Sequence, residues 1–496
     1  MTSLGHPEVV ETPAAVLFLL GERAYKLRKP VELGRHDFRR RTDRFHLCHR
    51  EVQLNRRLAP DVHLGVTDLL GVDGEPCEHL VVMRRMPADR RLSTLVRSRT
   101  PLDDEMRRLA RVLTVFHAGA RRGTAIDAEA TLTELQDRWD TLAGRLGRFH
   151  CGMLSATDAI EAHQRAHQFL AGRESLLAER VAQGRIVDGH GDLNTDDIFL
   201  LDDGPRVLGC LAFDDRLRCL DVLDDVASLT VDLEQLGAPA LADHFLTAYL
   251  AFSGDPGPAA LRHHYSAYRA LSRAELGCLR HEQGDPSAAG DVAAHLGLAL
   301  RHLRAGTVRL VLLGGPSATG RSGLAGRLAD RLGATVLSGN RIRRELAGID
   351  PDGSSASDFR TGIYTAEWTE RTYAELIWRA RRLLEHGETV ILDASWSRDR
   401  HRGRARELAG CTHSELVELR CAPDPDRPAG RWTGCAPDDL GIRLAAAAAR
   451  DADDWPQART VDAEAPALTV LGGTFGPDET GHQPPVTMRP AANSRP

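Results

Sequence analysis

The sequence predicts an α/β protein in two domains: an α+β domain over residues 1–305 and an alternating α/β domain over residues 306–471, before a tail at 472–496. Three observations predict it. A chain of 496 residues is long for one core and holds two to four folding units at roughly 100–200 residues each. A β-rich stretch from Val9 to about Leu92 precedes a long helical one. After Ala305-Gly306 strands and helices alternate, the signature of a parallel sheet.

The elements follow in order. Val16 to Leu20 is an apolar strand, Gly21-Glu22-Arg23 a turn, and Ala24 to Leu27 the returning strand of a hairpin. Phe45, Cys48, Val52, Leu54 and Leu58 mark a helix over 42–58. Leu80 to Met83 is a further strand. From Leu102 helices dominate; Leu109, Val112, Leu113 and Phe116 have the spacing of a buried face. A short β island interrupts them between Ile186 and Leu211. In the second domain, strands are expected at 309–313, 335–337, 389–392 and 416–420, with helices through Leu324, Leu328 and Leu332 and over 366–385. From Gly472 the chain is rich in Gly, Pro and polar residues and is expected to be disordered.

Composition narrows the function. Hydrophobic residues make up 42% and charged residues 27%, which suits packed domains. The net charge of −6 offers no broad basic field, so neither nucleic acid nor an anionic membrane is the expected partner. Apolar runs are too short to span a bilayer, no signal peptide is recognised, and nine cysteines lie without a CxxC pair. A reduced, cytoplasmic setting is expected. Of 64 lysines and arginines, only Lys26 and Lys29 are lysines. Where Arg otherwise serves every need for charge, a retained Lys points to a compact ammonium in use.

The sharpest motif of the first domain is His190-Gly191-Asp192-Leu193, followed by Asn194 to Asp197 and the apolar Ile198-Phe199-Leu200. Phosphoryl transfer to a hydroxyl needs a carboxylate to take the proton and a nearby group to hold Mg²⁺. Asp192 suits the first role and Asp197 the second. The alternative for Asp221, Asp224 and Asp225 is a capping or structural network rather than metal binding, and that reading is preferred.

In the second domain, Leu310 to Leu313 leads into Gly314-Gly315-Pro316-Ser317-Ala318-Thr319-Gly320-Arg321-Ser322. This is the spacing of a phosphate loop, whose inward backbone N–H groups cradle phosphates while Ser322 ligates Mg²⁺. Arg321 stands where such loops carry lysine, and its planar fork is a poor substitute for a point charge. Val390 to Asp393 reads as an apolar strand ending in an aspartate.

On these residues the first domain resembles the aminoglycoside-phosphotransferase-like kinases with their HGD-type catalytic loop. The resemblance implies a protein-kinase-like fold, ATP with Mg²⁺, Lys26 on the ATP phosphates, Glu51 orienting it, and a hinge at Met83 and Met86 receiving adenine. The second domain is similar to small P-loop kinases of the gluconate-kinase and zeta-toxin type. That likeness implies a P-loop NTPase-like fold, Gly315, Gly320, Arg321 and Ser322 on nucleotide, Asp393 near the metal, and Arg343, Arg344, Arg427 and Arg431 as substrate or lid arginines. The chain order resembles a bacterial family that fuses the two.

Three positions depart from these patterns. Gly209 stands where a second Mg²⁺ carboxylate is implied, Arg321 replaces lysine, and Asn340 replaces an aspartate and cannot act as a base. The expected function is an ATP-dependent phosphotransferase acting on a small hydroxylated molecule. The alternatives are a nucleotide-binding regulator with little catalysis and an ATPase or small-molecule kinase activity housed in the second domain. Drug phosphorylation rests on the family likeness alone.

Overall fold

A computed structural model describes residues 8–12, 14–33, 36–149, 154–316, 320–349, 362–421 and 452–475. The chain forms two compact units. The first comprises Met1–Leu154, Ala178–Gly257 and Tyr265–Ala299; the second comprises Ser155–Leu177, Pro258–His264 and Leu300–Pro496. The helix Ala156–Ala171 therefore belongs with the second unit, although the sequence places it far upstream.

The first unit opens with a five-stranded antiparallel sheet. In spatial order its strands are Glu8–Glu11, Ala15–Leu20, Arg23–Arg28, Pro76–Arg84 and His63–Leu70. The expected hairpin is present, with Leu17 opposite Lys26. The helix Arg41–Asn55 lies on this sheet, and Cys48 and Val52 pack against Ala24, Val62, Val81 and Met83. Phe45, assigned to the buried stripe from sequence, is exposed; Leu47 takes its place, and Glu51 and Asn55 are buried beside the apolar residues. The stripe was imperfect because the buried face has polar work to do.

The rest of the unit is helical around two short strand pairs. Ile198–Leu201 pairs with Gly204–Val207, and Ile186–Asp188 with Cys219–Asp221. Three of these strands lie in the β island expected between Ile186 and Leu211; Cys219–Asp221 falls beyond it. Asp221 caps the helix Val222–Gln235 through the Leu223 N–H at 2.8 Å and also takes two hydrogen bonds from Arg180, which bridges to Asp255. Asp224 pairs with Arg269. The structural reading of these aspartates holds.

The second unit is built on a parallel sheet in the order Thr335–Ser338, Val390–Asp393, Arg309–Gly314, Glu415–Cys421, Arg459–Val461. Every residue of Arg309–Gly314 is buried, as befits a strand covered on both faces. Arg309 is tolerated there because its Nε donates to Glu415 at 2.8 Å. The sheet order reverses around this strand, so a crevice opens beyond its carboxyl end, where open α/β sheets bind ligands. Leu313, Leu324, Leu328 and Leu419 fill the core beneath. The helix Ala467–Phe475 covers the first four residues of the expected tail; residues 476–496 lie outside the described residues. No described helix is long and apolar enough to cross a membrane.

Candidate functional site

The catalytic-loop motif is fixed from below. The N–H groups of His190 and Gly191 donate to the Asp225 carboxylate at 2.7 and 2.9 Å. Asp225 also meets His117 Nε2 at 3.1 Å, and His117 Nδ1 meets the Tyr249 hydroxyl at 2.8 Å. Burial would raise the Asp225 carboxyl, but these donors hold it below its ordinary value. Burial keeps His190 neutral. Its Nε2 donates to the Leu208 carbonyl at 2.9 Å, and its Nδ1 accepts the Asp192 N–H at 3.3 Å. Gly191 has φ +89°, which lets the chain turn and present Asp192 outward.

Asp192 is 41% exposed at its side chain and accepts one hydrogen bond, from Arg273 at 2.8 Å. Asn194 ties Asp192, the candidate base, to the candidate metal ligand. Its Nδ2 donates to the Asp192 carbonyl and to Asp197 Oδ2, at 3.3 and 2.8 Å. Asp197 is half-buried, and desolvation raises its carboxyl above the ordinary range. A half-buried carboxylate with one side-chain donor among the described residues fits a cation.

Gly209 explains the missing second carboxylate. It has φ +77°, and a Cβ there would lie 2.8 Å from Asp197 Cγ. The space that a side chain at 209 would use is filled by the Asp197 carboxylate. Asp197 reaches that space from the loop after His190 rather than from the strand end.

Lys26 and Glu51 are brought together as the resemblance implied, with Nζ donating to Oε1 at 2.7 Å. Sequence reasoning missed Arg28, whose Nε donates to Glu51 Oε2 at 3.1 Å. The signal was available, since i and i+2 of a strand share a face. Burial opposes ionisation of Glu51, but Arg28 and Lys26 outweigh it and its carboxyl is depressed. Lys26, Glu51, Met83, Met86, Asp197 and Gly209 all line one cleft of about 780 Å³, a size that suits a nucleotide. Its floor also holds His63, Phe199 and Arg91, the last with its guanidinium 5.4 Å from the Phe199 ring. No local signal marked these three.

The second unit has its own pocket, of about 550 Å³, beyond the end of Arg309–Gly314. Gly320, Arg321, Ser322, Asn340, Arg343 and Asp393 line it. Gly315 also belongs to this turn; with φ +127°, an added Cβ would strike the Cys421 carbonyl. Ser322 and Asp393 meet directly, Oγ donating to Oδ2 at 2.6 Å. Arg321 does not project along the path of a phosphate-loop lysine. Its Nε donates to Asp393 Oδ1 and a terminal nitrogen to the Gly315 carbonyl at 2.6 Å. Both oxygens of Asp393 are thus engaged by protein donors, and the Arg321 guanidinium already neutralises that carboxylate, which does not fit a divalent metal beside it. Arg344 is outside the pocket lining, and Arg427 and Arg431 lie outside the described residues.

Comparison with known proteins gives three findings. Residues 310–431 match the family described as AAA domain. Proteins of Mycobacterium tuberculosis (Rv2004c) and Mycobacterium bovis (Mb2027c), both named only as uncharacterised, are 40% identical over 471 residues, covering 94% of this chain and 94% of each of theirs. Solved structures that resemble part of the chain include a choline/ethanolamine kinase family protein from Mesorhizobium loti, at TM-score 0.37 and 13% identity, covering 60% of this chain and 92% of that one. An aminoglycoside 2′-phosphotransferase resembles it at TM-score 0.36 and 15% identity, covering 61% and 93%.

Proposed function

We propose a function from one premise: this chain belongs to the family of the mycobacterial proteins it matches. The chain is a nucleotide-binding protein of phosphotransferase type, and its first unit transfers the γ-phosphoryl group of ATP to the hydroxyl of a small molecule. The observation that carries this reading is the convergence of Lys26, Glu51 and Asp197 on one cleft, with Asn194 linking the Asp197 carboxylate to the backbone carbonyl of Asp192.

The residues divide the work. Lys26, oriented by Glu51, binds phosphate oxygens; Met83 and Met86 flank the base. Asp197 is the residue that would hold Mg²⁺, which when bound neutralises phosphate charge. Asp192 accepts the proton as the acceptor oxygen bonds to the γ-phosphorus and the bond to the β–γ bridging oxygen breaks, releasing ADP. With one carboxylate at the metal position instead of two, slow turnover is expected. Gly209 therefore also supports the second reading, a nucleotide-binding regulator.

The test is transfer of label from [γ-³²P]ATP to metabolite pools by the purified chain and by Asp192→Asn. Removing a general base lowers such rates by about 10²–10⁴-fold. Equal labelling by both proteins ends the proposal. Nucleotide binding without labelling by either leaves the regulator.

A further inference from the structure

The AAA-domain match implies a phosphate loop working with a divalent cation, and the pocket of the second unit is built differently. In such loops the serine hydroxyl and the aspartate at the end of the neighbouring strand face the cation directly or through its water. The Ser322–Asp393 contact by itself leaves the hydroxyl lone pairs free for a cation, and the difference lies in the guanidinium seated on Asp393. Ser322 Oγ donates to Asp393 Oδ2 at 2.6 Å, and Arg321 Nε donates to Asp393 Oδ1. Asp393 is buried, at 1% exposure, so water offers little competing solvation. The Arg321 guanidinium is anchored a second time, by the Gly315 carbonyl at 2.6 Å. Its remaining terminal nitrogen makes no hydrogen bond among the described residues.

A second cation lines the same pocket. Arg343 has no carboxylate partner among the described residues; it makes long contacts of 3.4 and 3.5 Å to the Thr372 and Thr369 hydroxyls and lies 5.0 Å from the Tyr364 ring. Two guanidiniums thus face one engaged carboxylate, a balance that favours an anion. Asn340, at the pocket wall, has no basic atom to take a proton from an acceptor.

We propose that this pocket binds the phosphate chain of its ligand without a divalent cation. The Arg321 guanidinium, locked on Asp393, takes the position and charge that a metal would supply, and Arg343 adds the second positive group. The ligand class is a pyrophosphate-bearing molecule, and the pocket holds it rather than transferring its phosphate. This inference is independent of the first unit's activity, which rests on other residues.

Calorimetric titration of the full-length chain tests it. Lys26→Ala with Asp197→Asn silences the first unit's cleft, and thermal unfolding checks that each variant is folded. ATP and inorganic pyrophosphate are titrated in excess Mg²⁺ and again in EDTA. The affinity is expected to differ by less than about threefold between the two conditions, well under the tenfold worth of a single charge-assisted contact. Arg343→Gln is expected to weaken binding about tenfold or more in both conditions. Arg321→Lys shortens the side chain, releases Asp393 and makes binding Mg²⁺-dependent by a similar factor. Binding of ATP but not pyrophosphate assigns recognition to the base as well as the phosphates and keeps the metal-free mode. Tightening by tenfold or more on adding Mg²⁺ to the Arg321 chain overturns the proposal, as does no binding of either probe, or Arg321→Lys binding equally well in EDTA.

Discussion

Restoring the missing carboxylate by Gly209→Asp looks like a gain-of-function experiment, and the geometry says it damages the protein. Gly209 has φ +77°, a region that costs an L-residue roughly 1–2 kcal/mol. The new Cβ would lie 2.8 Å from Asp197 Cγ, too close without a shift of that carboxylate. Displacing Asp197 breaks its 2.8 Å hydrogen bond from Asn194, worth about 1.5–3 kcal/mol for a charged acceptor. The sum is about 3–5 kcal/mol of destabilisation, before any repulsion between two neighbouring carboxylates. At roughly 2–4 °C per kcal/mol for a unit of this size, melting should fall by about 6–20 °C. Gly209→Ala carries the same backbone and Cβ cost and should lose about the same 3–5 kcal/mol, so any further loss in Gly209→Asp reads the repulsion between the two carboxylates. Thermal unfolding followed by circular dichroism reads both, and label transfer from ATP is measured alongside. Melting within a degree of the parent, or faster transfer in Gly209→Asp, refutes the reasoning.

Three further outcomes follow from the same structure. Arg180 is 3% exposed and grips Asp221 and Asp255 with four bonds of 2.6–2.8 Å, so Arg180→Met strands two buried carboxylates and should cost about 3–5 kcal/mol in urea unfolding. Burial lowers His63 from 6.5 to about 4, so the native state resists its protonation. The unfolded chain takes up that proton first as pH falls through 6.5, and stability drops between 6.5 and about 4 by up to ~3 kcal/mol. His63→Gln should flatten that part of the stability–pH curve relative to the parent; parallel curves contradict it. Arg273 places a guanidinium 2.8 Å from the Asp192 carboxylate and cancels its charge, so the proposed base offers a cationic alcohol no net anion to attract it. Choline and kanamycin should fail to stimulate ATP consumption, and Arg273→Ala should lower the KM for them; stimulation of the parent chain by either contradicts this.

Much of this protein was written locally. The hairpin carrying Lys26, the strand into Gly314-Gly315 and the helix Ala366–Glu385 follow from periodicity and turn chemistry over a few residues, where the chain interacts with itself along its own path. The motif around Asp192 and the loop ending in Ser322 were legible because each is a short run of residues at fixed spacing. Arg28 was legible too, two residues from Lys26 on one face of a strand.

What folding alone decided is which charges meet. Arg273 reaches Asp192 across 81 positions, Arg180 reaches Asp255 across 75, and Arg321 reaches Asp393 across 72. In a chain with 62 arginines, composition cannot say which guanidinium finds which carboxylate, because that choice is made by helix packing and sheet order. The same holds for Gly209: its letter shows that a carboxylate is missing, while only the fold shows that Asp197 fills the space. Sequence spelled out the phosphate-binding scaffolds; long-range packing set the charge and room left at each one.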